Sequence, residues 1–293
     1  MRRWLHSHYL LFLLLISFVS GAIIFINGFS YYTSSFEKRP LQREHEALKP
    51  SGKVGHGLGI IGTSMIIIGV ASYSSRKRLK MLSTAGNIKD WLNIHIFLCL
   101  TGPILILFHT TFKFSGIAGA SLWSMLSVVL SGITGRYIYI QIPKGLKGNE
   151  LTAIELEEMR REIQGKIIKE FKELNSDILN AIDKIITFKK PTKESTLSVI
   201  LSLLVDDLIG RRKKFSRLKK LLKSYGLKHK DLKNLVKLEE QRYLIMRRII
   251  LLDTLRQIFK YWHVIHLPFT IIMFILLTVH VLVAFILGYL WIF

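Results

Sequence analysis

Long apolar runs separated by strongly basic segments constrain this chain more than any other feature. A helix that crosses a bilayer needs roughly 20 mainly apolar residues, because the hydrocarbon core is about 30 Å thick and a helix rises about 1.5 Å per residue. Five stretches meet that requirement: about Tyr9 to Tyr31, Val54 to Tyr73, Trp91 to Phe112, Ala120 to Ile140, and Trp262 to the C-terminus. Met1-Arg2-Arg3-Trp4 precedes the first run in the manner of a signal peptide. No convincing small-x-small cleavage site follows and the apolar stretch continues to Ile26, so this run is read as an uncleaved span. The expected fold is all-α, a membrane helical bundle of five spans.

Three segments follow from this pattern. Residues 1–142 hold the first four spans, residues 143–260 form a polar insert, and residues 261–293 supply the fifth span. The insert reads as helical and coiled-coil-like. Thr152-Ala153-Ile154-Glu155 is a capping-box sequence. Met159, Ile163, Ile167, Phe171, Leu174, Ile178, Ile182 and Ile185 then recur at threes and fours, the spacing of one helix face. This predicts one helix that lasts until Lys190-Pro191-Thr192 breaks it. A second helical stretch runs from about Thr196 to Tyr225, interrupted near Gly210. A third begins near Asp231 and can continue unbroken into the last span.

The net charge of +22 is spread between and beside the apolar runs. Arg2-Arg3, the cluster from Arg76 to Lys80 and the basic insert would share one side of a five-span bundle. The positive-inside rule makes that side cytoplasmic, as expected in a prokaryotic cytoplasmic membrane. The third and fifth spans then run parallel. The basic insert suits anionic lipid or an acidic redox partner protein. No nucleic-acid module is present, so nucleic-acid binding is not expected. The single cysteine, Cys99, excludes an internal disulfide, a CxxCH heme attachment and an iron–sulfur site built from cysteines.

Four of the ten histidines form a pattern. His95 and His109 lie 14 residues apart in the third span, and His266 and His280 lie 14 apart in the fifth. Fourteen residues is nearly four helical turns, so each pair shares a face, its members separated by roughly 21 Å along the axis. On parallel helices His95 opposes His266 and His109 opposes His280. Each opposed pair can supply two axial imidazoles to one heme iron, which predicts two b hemes stacked across the membrane. Ionisable residues inside spans are costly, which favours a functional role for these histidines over a packing role.

The segments Leu107-Phe108-His109-Thr110-Thr111-Phe112-Lys113 and Trp262-His263-Val264-Ile265-His266-Leu267-Pro268 carry a family likeness. With the four spaced histidines, the membrane part resembles the ferric reductase-like and NADPH oxidase membrane domains and the two-heme core of quinol-oxidising cytochrome b. The resemblance implies transmembrane electron transfer through two bis-histidine hemes, with quinone as a candidate exchange partner. Gly57-Leu58-Gly59-Ile60-Ile61-Gly62 has the GxGxxG spacing but lies inside the second apolar run rather than between a strand and a helix, and the chain shows no nucleotide-binding domain. It therefore reads as an electron-transfer subunit of an oxidoreductase complex rather than a stand-alone enzyme.

Further candidates surround the histidines. Gly102 is seven residues from both His95 and His109, where a missing side chain suits either an approaching porphyrin edge or close helix packing. Arg136 and Lys113 suit heme propionates or, equally, lipid headgroups. His263 is an alternative inner ligand, turned off the His280 face by its 17-residue interval. His56, within Gly55-His56-Gly57-Leu58-Gly59, reads as an interfacial histidine or a quinone contact. The competing readings are a transporter with a histidine proton relay and a heme-free membrane scaffold.

Overall fold

The computed structural model describes residues 2–82, 84–143, 150–171, 176–188 and 195–288. Among them helix is the only regular structure. The longer and shorter α-helices are α1 (Arg2–Asn27), α2 (Phe29–Thr33), α3 (His45–Leu48), α4 (Lys53–Arg78), α5 (Ile88–His109), α6 (Gly116–Gln141), α7 (Ala153–Glu170), α8 (Ser176–Ile186), α9 (Thr196–Val205), α10 (Arg211–Ser224) and α11 (His229–Ile286). Four helical stretches are long and apolar enough to cross a membrane: His45–Arg78, Ile88–His109, Ala118–Gln141 and His229–Ile286. Leu11–Asn27 is apolar but shorter. On α11, Ile271, Ile275, Leu282 and Phe285 are each more than half exposed, which suits contact with lipid and is unfavourable in water.

The chain divides into two compact units, Met1–Ile133 with Ile265–Phe293, and Thr134–Val264. In the first, α4 and α5 pack along most of their length and α1 lies against α5. Ser17 on α1 and Thr101 on α5 share a buried hydroxyl–hydroxyl bond of 2.6 Å. Ser121 on α6 donates to the Leu276 carbonyl on α11. Ile66, Ile106, Leu122, Met125 and Met273 bring α4, α5, α6 and α11 into one apolar cluster.

The second unit packs α7 to α10 around the polar half of α11. Its core includes Ile182, Leu203, Leu218, Leu235 and Leu251. The Thr152–Glu155 capping box is formed. The predicted single helix from Thr152 is two helices: Phe171 leaves helical geometry (φ −123°, ψ 43°) and α8 begins at Ser176. Its apolar spacing carries through the break, so the pattern alone hid it. The expected breaker at 190–192 lies outside the described residues. The interruption near Gly210 is a π-helical turn, Asp206–Gly210, between α9 and α10. As the sequence allows, α11 is one uninterrupted helix of 58 residues.

That π turn aims two carboxylates inward. Asp206 accepts from Tyr243 and Arg247 and pairs with Lys214 at 3.3 Å. Asp207 accepts from Arg247, Tyr137 and Gln141 at 2.7–2.9 Å. Two carboxylates against two cations leave the cluster neutral, which is what makes its burial tolerable. Burial pushes the Asp207 carboxyl up, but the hydrogen bonds from Arg247, Tyr137 and Gln141 outweigh it and hold it below the ordinary aspartate range.

Arg247→Leu leaves Asp207 without a cation and Asp206 with Lys214 alone, and should cost about 3–5 kcal/mol in this unit, read by hydrogen exchange of its amides. The Asp207 contribution is present above the ordinary aspartate pKa and fades as pH falls through its lower folded value. Asp207→Asn should therefore flatten that acid limb of the unit's stability curve.

Candidate functional site

The site begins with a glycine seam. Helices α4 and α5 run antiparallel, and three pairs at seven-residue intervals face each other: Gly55 with His109, Gly62 with Gly102, and Gly69 with His95. A Cβ on Gly102 would lie 2.6 Å from the Gly62 carbonyl oxygen, and one on Gly62 would lie 2.7 Å from that of Gly102. Only glycine permits so close an approach of two backbones. The missing side chain of Gly102 thus faces α4, and its observed role is helix packing.

Close approach brings the α4 carbonyls within reach of the α5 imidazoles. His95 Nδ1 donates to the Gly69 carbonyl at 2.9 Å, and His109 Nδ1 donates to the Gly55 carbonyl at 2.9 Å. A carbonyl can only accept, so both rings carry a proton on Nδ1, and in the neutral ring the lone pair is then on Nε2. This is the arrangement by which proteins fix the tautomer and orientation of metal-ligating histidines. Gly59 clears space for one ring: a Cβ there would sit 2.8 Å from His109 Nδ1. Tyr73 lies 5.3 Å from the His95 ring centroid, and Cys99 Sγ lies 3.6 Å from His95 Nδ1.

On α11, His266 Nδ1 is 3.1 Å from the Ser131 hydroxyl of α6, and Gly132 passes beside its Cε1. With the Ser121–Leu276 bond, this makes α6 and α11 antiparallel. His280 and His56 both lie within electrostatic range of His109, and the His56 ring centroid is 6.3 Å from it. The structure therefore sets the His56 ring beside that of His109, while His95 and His266 make contacts of their own with Gly69 and Ser131. Met273, seven residues from both His266 and His280, is buried in the apolar cluster with Ile66, Ile106, Leu122 and Met125.

No group of three or more His, Cys, Asp or Glu side chains among the described residues could hold a metal ion. A bis-histidine iron draws only two ligands from the protein, so its site is outside that pattern. His263 is exposed, with Nδ1 bonded to the Phe259 carbonyl of its own helix and its ring against Trp262. Lys113 is exposed. Arg136 is half-buried beside Tyr139, and its Nε and Nη1 are buried without a hydrogen-bond partner among the described residues.

Sequence reasoning missed Arg39. Its side chain is 6% exposed, and it donates to three carbonyls: Nε to Ser34 at 3.2 Å, Nη1 to Thr111 at 2.6 Å and Nη2 to Tyr32 at 3.0 Å. The Phe36 ring covers it at 4.3 Å. Thr111 and Phe112 have φ of 51° and 61°, the left-handed region that costs a β-branched or bulky residue energy. Arg39 thus clamps a strained turn two residues beyond His109. In sequence Arg39 is one loop arginine among several, and nothing local distinguishes it.

Comparison of the chain with family models, curated protein sequences and solved structures returns no match.

Arg39→Met removes three hydrogen bonds from a charged donor and should lower stability by about 3 kcal/mol or more, since such bonds contribute about 1.5–3 kcal/mol each. Thermal unfolding in detergent checks it; an unchanged midpoint would show that the strained turn stands without its clamp.

Proposed function

We propose that this chain is the membrane subunit of a redox complex and moves single electrons across the bilayer through two bis-histidine b hemes held by α5 and α11. The observation that carries the reading is the pair of Nδ1–carbonyl bonds at His95 and His109. Both imidazoles are held as Nδ1–H tautomers, 14 residues apart on one face, with Nε2 left to bind iron. Packing alone does not explain two histidines fixed in the same tautomer at the same interval in an apolar helix.

In this reading His95 with His266 and His109 with His280 are the axial ligands. Heme bound there would supply one-electron iron chemistry, and two imidazoles per iron would leave no open coordination position. The carbonyls of Gly55 and Gly69 orient the α5 imidazoles and raise their basicity as ligands. Ser131 does the same for His266 through its hydroxyl. Arg136, with two unpartnered nitrogens, is a candidate for a propionate carboxylate; Lys113 is a candidate for the other level.

α1, extended from its apolar part Leu11–Asn27 towards the N-terminus, is the first of the five spans and joins the four long apolar helices. Arg2-Arg3, the Arg76–Lys80 cluster and the insert lie on the cytoplasmic side by the positive-inside rule. Quinone and redox partner proteins are the exchange partners this topology serves.

The test is a substitution series in chain expressed with heme available. Extractable heme b should be two per chain. His95→Ala or His266→Ala should remove one, and His109→Ala or His280→Ala the other, in reduced-minus-oxidised spectra. Gly59→Leu should behave as His109→Ala, because its side chain would occupy the place of that ring. A folded chain without heme would sink the proposal and bring the proton-relay and scaffold readings forward.

A further inference from the structure

The stretch from α9 through the π turn to α10 has two unlike faces. Val199, Leu203, Asp206, Phe215, Leu218 and Leu222 are buried in the core of the second unit. The opposite face of α9 and the turn stays apolar in the open: Leu197, Leu201, Val205 and Leu208 are 67%, 51%, 58% and 65% exposed. Their spacing of four, four and three residues makes a continuous stripe. Single exposed leucines are ordinary, but an aligned stripe on a helix that is already apolar on its buried side marks an interaction surface. A ten-residue apolar helix is too short to span a bilayer and long enough to lie in its interface.

The charge that follows the stripe identifies its partner. α10 carries eight Lys and Arg among its 14 residues and no acidic residue. Arg212, Lys213, Lys219, Lys220 and Lys223 are exposed. The two carboxylates of the element, Asp206 and Asp207, are turned inward and occupied by Arg247, Lys214, Tyr137 and Gln141. The outward surface is thus apolar and then purely cationic. That is the composition of helices that seat an apolar face among acyl chains and a basic face among anionic headgroups.

We infer that the α9–α10 element is a membrane-docking surface, with Leu197, Leu201, Val205 and Leu208 entering the interface of an anionic bilayer and the α10 cations binding its headgroups. α6 and α11, which run out of this unit, are both long and apolar enough to cross a membrane. This inference stands whether or not the chain holds heme.

The test uses the full chain in a Cys99→Ala background, reconstituted into vesicles of phosphatidylglycerol with phosphatidylcholine. A fluorophore at Leu201→Cys is compared with one at Glu162→Cys, an exposed position on α7. Brominated acyl chains should quench the label at position 201 at least about threefold more strongly than the label at 162. Replacing Arg212, Lys219, Lys220 and Lys223 with Gln should reduce that quenching at least about twofold, as should vesicles of phosphatidylcholine alone. The inference is overturned if aqueous iodide reaches both labels equally. It is also overturned if position 201 is shielded from iodide without acyl-chain quenching, which would mean a protein cover, or if quenching ignores headgroup charge.

Discussion

Two hydrogen bonds, from His95 to the Gly69 carbonyl and from His109 to the Gly55 carbonyl, are the constraint on which the membrane unit depends. They require backbone carbonyls of one helix to lie within reach of side chains on its neighbour. Only a seam of glycines brings α4 and α5 that close. The register follows: once Gly62 meets Gly102, Gly55 and Gly69 fall opposite histidines seven residues to either side. A carbonyl bonded to its own helix still has a second lone pair, so each bond is gained without breaking the helix. Packing and imidazole chemistry are therefore set by the same residues. In a bilayer, where apolar burial no longer drives helix association, such close contacts and polar bonds carry most of the specificity.

The second unit solves a different problem. It is heavily basic on its surface, yet it buries Asp206 and Arg247 together at a π turn, with Asp207 half-buried beside them. The extra residue of a π turn rotates the chain enough to aim consecutive aspartates into one cluster. Arg247 binds both with a single nitrogen, Nη1, while its Nη2 reaches Gln141. The unit thus holds its helices by one neutral polar cluster inside an aliphatic core, and sends its uncompensated charge outward. Arg39 shows the opposite economy: a buried cation with three carbonyl partners, used to hold a left-handed turn at the end of α5.

Much of this was legible in the residues. Apolar runs located the long helices, the Thr152–Glu155 box located the start of α7, and the lack of a breaker before Trp262 anticipated the unbroken α11. The histidine intervals identified one shared face on α5, which the sequence turns towards the fifth span; the contact of that face with α4 through Gly55 and Gly69 was not legible. Other parts were hidden for physical reasons. The break after Glu170 keeps the apolar period, so periodicity could not reveal it. The seam pairs Gly62 with Gly102 across 40 residues, and only a three-dimensional contact explains either. Gly102 could be read as a porphyrin neighbour from spacing alone, because spacing does not say which helix it faces. Arg39 owes its role to the carbonyls of Tyr32, Ser34 and Thr111, which a strained backbone turns toward it.

The central claim is that imidazole Nε2 atoms from α5 and α11 bind iron in pairs. Electron paramagnetic resonance of the oxidised, purified chain, expressed with heme available, tests it most directly. The account predicts two low-spin ferric signals of the bis-imidazole type, both intact in the resting protein. High-spin ferric signals in the intact resting protein, or a folded chain with no heme signal, would contradict it.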